Sequence, residues 1–181
     1  MRAVLDADVL YPLPLRDTLL ALAELDAFQL VWSAQILDEV IRNLIADQRL
    51  TESSALTMLA ALRRAFPEAA VGDFEHLIDT MPNHPKDRHV AACAVVGGAN
   101  LIVTGNLKDF KALPSGLVAV SPDAFLQRIA EDLPAVMERA LALQAARLKR
   151  PPLTVGQILG KLALAAPNFV ANWRKRAVDQ I

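Results

Sequence analysis

The stretch NLIVTGNLKDF, residues 100–110, decides how this chain folds. Leu101–Val103 is an unbroken aliphatic run, too short for a helix and apolar enough to be a strand covered on both faces. We therefore read Asn100–Thr104 as a strand and Gly105–Phe110 as the loop that leaves it. Upstream, a helix from about Asp87 to Val96 is closed by Gly97-Gly98. Downstream, Leu117–Val120 is a further short strand, and Ser121 or Asp123 starts a helix to about Ile129.

The same alternation extends back to the start. Arg2–Leu5 reads as a strand ending at Asp6, Pro12 and Pro14 as a stiff loop, and Asp17–Leu25 as a helix. Phe28–Trp32 is a second strand. Ser33 caps a helix to about Ala46 with Ile36, Leu37, Val40, Ile41 and Leu44 on one face. Thr51 caps another that reaches Ala65, and Pro67 closes it. Val71–Ile78 fits no single pattern, and Pro82 and Pro85 frame a loop. Strands alternating with helices predict an α/β fold, with a central parallel sheet between helical layers. Beyond Asp132 the strand pattern stops. Leu133–Leu148, Thr154–Leu164 and Asn168–Val178 read as three helices, so we expect a sheet-bearing domain over 1–130 and a helical extension over 131–181.

Composition narrows the class. At 181 residues and 54% hydrophobic, the chain can bury one substantial core. The longest apolar region, Val90–Val103, is interrupted by Gly97-Gly98 and Asn100 and is too short to span a membrane. Asp6 and Asp8 fall where a signal peptide would need apolar residues, so a cytoplasmic protein is the default expectation. The single cysteine, Cys93, lies between two alanines, which fits an inert core thiol and excludes a disulfide framework. Charge is uneven: residues 1–138 hold 11 Lys/Arg against 19 Asp/Glu, and residues 139–181 hold 8 Lys/Arg against Asp179 alone. The basic tail suits a polyanion or an acidic partner chain, or else is a solvated helical face.

Ligand sites in parallel α/β sheets form where strands end at their carboxyl edge. Asp6 and Asp8 stand at that edge for the first strand, and Thr104, Asn106 and Asp109 for the strand at 100–104. Glu39 lies two turns into the Ser33 helix, and Asp87 heads the helix of KDRHVAACAVV. Convergence of these acids would suit a hard divalent cation such as Mg²⁺ or Mn²⁺, which takes oxygen ligands. Without a cation, their mutual repulsion is costly. Each acid also has a plainer role. Asp6 can serve a turn, Asp8 an Asx-turn, Asp87 a helix dipole and Asp109 a loop. Apolar spacing turns Glu39, rather than Asp38, toward the buried stripe. His76, His84 and His89 have no metal-ligand spacing, so exposed or structural roles are expected. Arg42 and Arg88 sit beside these acids, either to contact phosphate or to pair with them, and Lys108 joins them as a candidate phosphate contact.

Taken together, VLDADVLYP, ILDEVIRNL and KDRHVAACAVVGGANLIVTGNLKDF, in this order and spacing, resemble the PIN-domain ribonucleases, most closely the VapC-type toxins of toxin–antitoxin modules. The resemblance covers about residues 1–130. The tail with LKRPPLTVGQILGKL resembles the extension some members carry. It implies a metal-dependent endoribonuclease with a three-layer α/β/α fold. Asp6, Glu39 and Asp87 would be its metal carboxylates, Thr104 would steady the first of them, and Asp8 would support the site. The fourth acidic position falls on Asn106, which can offer a carbonyl oxygen, or on Asp109. Lys86 departs from the pattern, since relatives commonly have an acid there. RNA substrate, a small antitoxin and a homodimer are implied by the resemblance alone. Two other readings stand beside it. The first is a haloacid-dehalogenase-like phosphatase with Asp6 as nucleophile and Asp8 as acid/base. The second is a catalytically degenerate fold that binds RNA or protein.

Overall fold

The computed structural model describes residues 1–149 and 151–178. Arg150 and residues 179–181, part of the basic tail, lie outside the described residues. The described chain divides into two compact units. One comprises Met1–Tyr11 with Phe28–Val120, and the other comprises Pro12–Ala27 with the residues from Ser121 onward.

The first unit is built on a five-stranded sheet in the order β3-β2-β1-β4-β5, with β1 at Arg2–Leu5, β2 at Gln29–Ser33, β3 at Ala70–Val71, β4 at Leu101–Val103 and β5 at Val118–Val120. Every pairing is parallel, with Val4 opposite both Val31 and Ile102. The central strands are buried on both faces, as a parallel sheet flanked by helices requires. The fold is a three-layer α/β/α sandwich.

Helix α1 (Ala7–Leu10) is a single turn directly after β1. Helix α3 (Ala34–Ala46) starts where Ser33 accepts the Ile36 N–H at 3.1 Å, and it buries Ile36, Leu37, Val40 and Leu44. Helix α4 (Glu52–Ala65) is capped in the same way by Thr51. After β3 the chain crosses back to the other side of β1 through α5 (Arg88–Val96). That return reverses direction across the sheet. Right-handed crossovers then put α5 on the face opposite α3 and α4. Helix α5 buries His89 through Ala94 in a row and packs on β1, β2 and β4. Its end must be glycine, because a Cβ on Gly97 would stand 2.7 Å from a Val31 methyl.

The second unit holds α2 (Leu13–Glu24), α6 (Pro122–Asp132), α7 (Pro134–Arg147), α8 (Val155–Leu162) and α9 (Pro167–Val178). Pro14 lies in the first turn of α2 rather than in a loop. There its missing N–H costs nothing, so the helix starts four residues before the expected Asp17. Asp123 ties α9 to α6 by accepting the Phe169 N–H at 2.8 Å and the Asn168 amide at 2.7 Å. Thr154 and Gln157 form a reciprocal capping box on α8. Among the described residues, no helix is long and apolar enough to cross a membrane.

Candidate metal centre at the carboxyl edge of the sheet

Asp6 follows the last residue of β1 and is 7% exposed. One of its oxygens caps α1 by accepting the Ala7 N–H at 2.7 Å, and the other accepts the Thr104 hydroxyl at 2.9 Å. The expected turn role is therefore met by one oxygen, while the other faces Thr104. Thr104, fully buried at the end of β4, also accepts the Asn106 N–H at 3.0 Å. Its hydroxyl thus points at the acid while its lone pair braces the following loop. Asp8 accepts the Gly105 N–H at 2.8 Å. Only glycine permits that approach, since a Cβ there would lie 2.9 Å from the same Asp8 oxygen.

Asp87 closes a short 3-10 turn, Pro85–Asp87, at the head of α5. It is 7% exposed and makes no side-chain capping bond. Its Oδ2 is buried without a hydrogen-bond partner. Ligand atoms of Asp87, Asp109 and His84 all lie within 4.8 Å of one another. The loops that carry them are stitched together, because His84 N–H donates to the Asp109 carbonyl at 3.0 Å. Asn106 donates its side-chain amide to Asp109 at 2.5 Å, which joins the two side chains.

The charges agree with the geometry. Burial, then the neighbouring Asp8 carboxylate, pushes the Asp6 pKa up to about 7, and Asp87 contributes in the same direction. Loss of solvation raises Asp8 as well, with Asp87 again adding repulsion. Asp87 is itself raised, mainly by burial and against the pull of Lys86, with Asp109 repelling it. Asp109 is lowered, chiefly by the Asn106 amide. Asp6, Asp8 and Asp87 therefore raise one another's pKa at the edge of the sheet, and Asp109 adds to Asp87, a repulsion that a cation or protons would relieve.

Glu39 is half-buried on α3 while Asp38 is exposed, as the spacing predicted. Its nearest recorded partner is His89, whose Nε2 lies 3.9 Å from its carboxylate. His89 Nδ1 faces the Lys86 carbonyl at 3.2 Å, and burial lowers the ring's pKa. The His89 ring thus stands between Glu39 and the Asp87 turn, with its Nε2 left without a hydrogen bond. Of the expected RNA contacts, Arg42 turns its guanidinium back to the Asp38 carbonyl, Arg88 donates to the Asn83 carbonyl, and Lys108 is exposed beside Asp109.

The histidines fall as expected, His84 exposed and His89 buried, but their neighbours were not foreseen: a His84 ring nitrogen lies within 4.8 Å of carboxylate oxygens of Asp87 and Asp109, and His89 faces Glu39. The turn around Pro85 brings His84 alongside Asp87, and only the pairing of two loops adds Asp109. The segment NHPKDRH, residues 83–89, held the signal as a density of polar groups beside a buried helix.

The model of the PIN domain matches residues 2–108, and that of the VapC50 C-terminal domain matches residues 122–175. Over 105 residues the chain is 36% identical to the candidate ribonuclease VapC50 of Mycobacterium tuberculosis, covering 56% of this chain and 62% of that protein. The chain therefore spans less than two-thirds of that relative's length. No solved structure matches the chain significantly.

Proposed function

The chain belongs to the PIN-domain family, and we propose on that premise that it is a metal-dependent endoribonuclease, the toxin of a toxin–antitoxin pair. The observation that carries the reading is the Asp87 Oδ2, buried and unpartnered beside Asp109, with Asp6 and Asp8 near enough for the Asp87 charge to raise both their pKa values. A carboxylate oxygen in that state is stabilised by a cation far more than by apolar surroundings. The donor set, carboxylates with an amide carbonyl, suits a hard divalent ion. In this reading Asp6, Glu39 and Asp87 hold the ion, with Asn106 or Asp109 in the fourth place.

When bound, Mg²⁺ or Mn²⁺ would polarise a phosphodiester and lower the pKa of an attacking water. The chain's own residues do the rest. Thr104 fixes the Asp6 carboxylate, and Gly105 fixes Asp8. Asn106 holds Asp109 ionised, and Asp109 could orient the water nucleophile. Arg42, Arg88 and Lys108 would contact RNA phosphates. A small antitoxin, a second copy of the chain and a cytoplasmic setting belong to the same reading, supported by the VapC relative. The basic helices after residue 138 would meet RNA backbone or an acidic antitoxin segment. The phosphatase and degenerate-fold readings are not favoured, because the chain matches the PIN-domain model and a relative named as a ribonuclease.

The test is cleavage of single-stranded and structured RNA with Mg²⁺ or Mn²⁺. Wild type should cut, and Asp6→Ala and Asp87→Ala should not. Equal behaviour of all three would discard the proposal.

A further inference from the structure

Among the described residues, five buried side-chain nitrogen or oxygen atoms have no hydrogen-bond partner, and four of them belong to Asn83, Asp87 and His89. These unmet polar groups fall in the segment 83–89, which also carries the exposed His84. Its ring lies within 4.8 Å of the Asp87 and Asp109 ligand oxygens. Two features hold it there. Pro85 follows it in the short turn, and its backbone N–H is bonded to the Asp109 carbonyl. The ring's other recorded bond is long, from the Lys86 N–H to Nδ1 at 3.4 Å, and is readily given up.

We infer that His84 is a nitrogen ligand of the metal site, joining Asp87 and Asp109, and that it makes the site prefer Mn²⁺ or a similar transition-metal ion to Mg²⁺. The inference rests on the nuclease reading and sharpens its cofactor. Imidazole is a poor ligand for Mg²⁺, which takes oxygen donors and keeps its waters, and a good one for first-row transition ions. An exposed histidine at an acidic rim could instead contact only the neighbouring acids, which would give no discrimination between the two ions. Asp87 distinguishes these cases. Its Oδ2 is buried and unpartnered with His84 already beside it, so the imidazole does not satisfy the carboxylate by itself.

The experiment uses the full chain without RNA. Mn²⁺ and Mg²⁺ affinities are measured by calorimetry, and the Mn²⁺ complex is examined by pulsed electron paramagnetic resonance for coupling to a directly bound ¹⁴N. Wild type should bind Mn²⁺ more tightly than Mg²⁺ and show the nitrogen coupling. His84→Asn, on an exposed position, should fold, lose the coupling and weaken Mn²⁺ by roughly tenfold or more, with much less change for Mg²⁺. Persistence of the coupling in His84→Asn, which would point to another nitrogen, overturns the inference. So does equal affinity of wild type for the two ions, or failure to bind Mn²⁺. A protein that binds Mn²⁺ through nitrogen but cuts no RNA would sink the nuclease reading and leave this inference standing. RNA cleavage with no preference for Mn²⁺ would do the reverse.

Discussion

The two units treat their buried polar groups in opposite ways. In the helical unit, Thr18 and Gln144 are both buried and fully answered: the Thr18 hydroxyl donates to Gln144 at 2.6 Å, and the Gln144 amide donates to the Pro14 carbonyl at 3.0 Å. A hollow of about 460 Å³ in that unit is lined by Leu141, Val155 and Trp173, with Glu138 its one acid. In the sheet-bearing unit, Asn83, Asp87 and His89 keep buried polar atoms without partners, and acids lie close enough to raise one another's pKa. A closed network of the first kind serves packing. Unmet groups of the second kind cost stability, and they persist where a ligand or a reaction requires them.

The sharpest way to break that contrast is Asp87→Asn. Removing one of the clustered charges should cut RNA cleavage by about 100-fold or more while raising the melting temperature of the cation-free protein. Loss of both activity and stability would mean that Asp87 is a structural acid. The counterpart in the helical unit is Thr18→Val, which strands the Gln144 carbonyl oxygen in the core. It should destabilise the protein by about 1–3 kcal/mol in denaturant unfolding, with cleavage per folded molecule unchanged.

Acidity sharpens the contrast further. The folded Asp6 pKa, about 7, lies above its ordinary value, so the folded state binds the proton more tightly than the unfolded chain. The associated stability is full below about pH 4 and is lost as pH rises toward 7, with a slope of at most about 1.4 kcal/mol per pH unit. Urea unfolding in chelator should therefore show a weaker protein at pH 7.5 than at pH 5, and saturating Mn²⁺ should reduce the difference. A stability that rises over that interval would contradict the buried-acid account. The smallest effect concerns Cys93, whose thiol burial pushes up to about 12. It should resist alkylation in the native protein and react only on unfolding. Rapid native labelling would show that the α5 face of the sheet opens.

The sequence made the sheet legible wherever an apolar run met a cap. Ser33, Thr51 and Gly97 mark helix ends within a residue of where they fall, because each signal is a local hydrogen bond or a steric demand. Pro14 misled because proline breaks helix interiors but is welcome in a first turn. Val71–Ile78 could not be read, since β3 is two residues long and exists only through its pairing with β2. At the site, the spacing that separates Glu39 from Asp38 was visible, and so was the strand-end position of Asp6. The company kept by His84 and His89 was not. His84 meets Asp109 through the pairing of two loops, His89 meets Glu39 through two helices far apart in sequence, and no local periodicity encodes either meeting.

The central claim, that acids from β1, α3 and the head of α5 share one cation, is tested most directly by cation-dependent melting. Millimolar Mn²⁺ should raise the melting temperature of the wild-type chain, and Asp6→Asn, Glu39→Gln and Asp87→Asn should each abolish most of that rise. A rise that survives all three substitutions unchanged, or no rise in the wild type, would contradict the account.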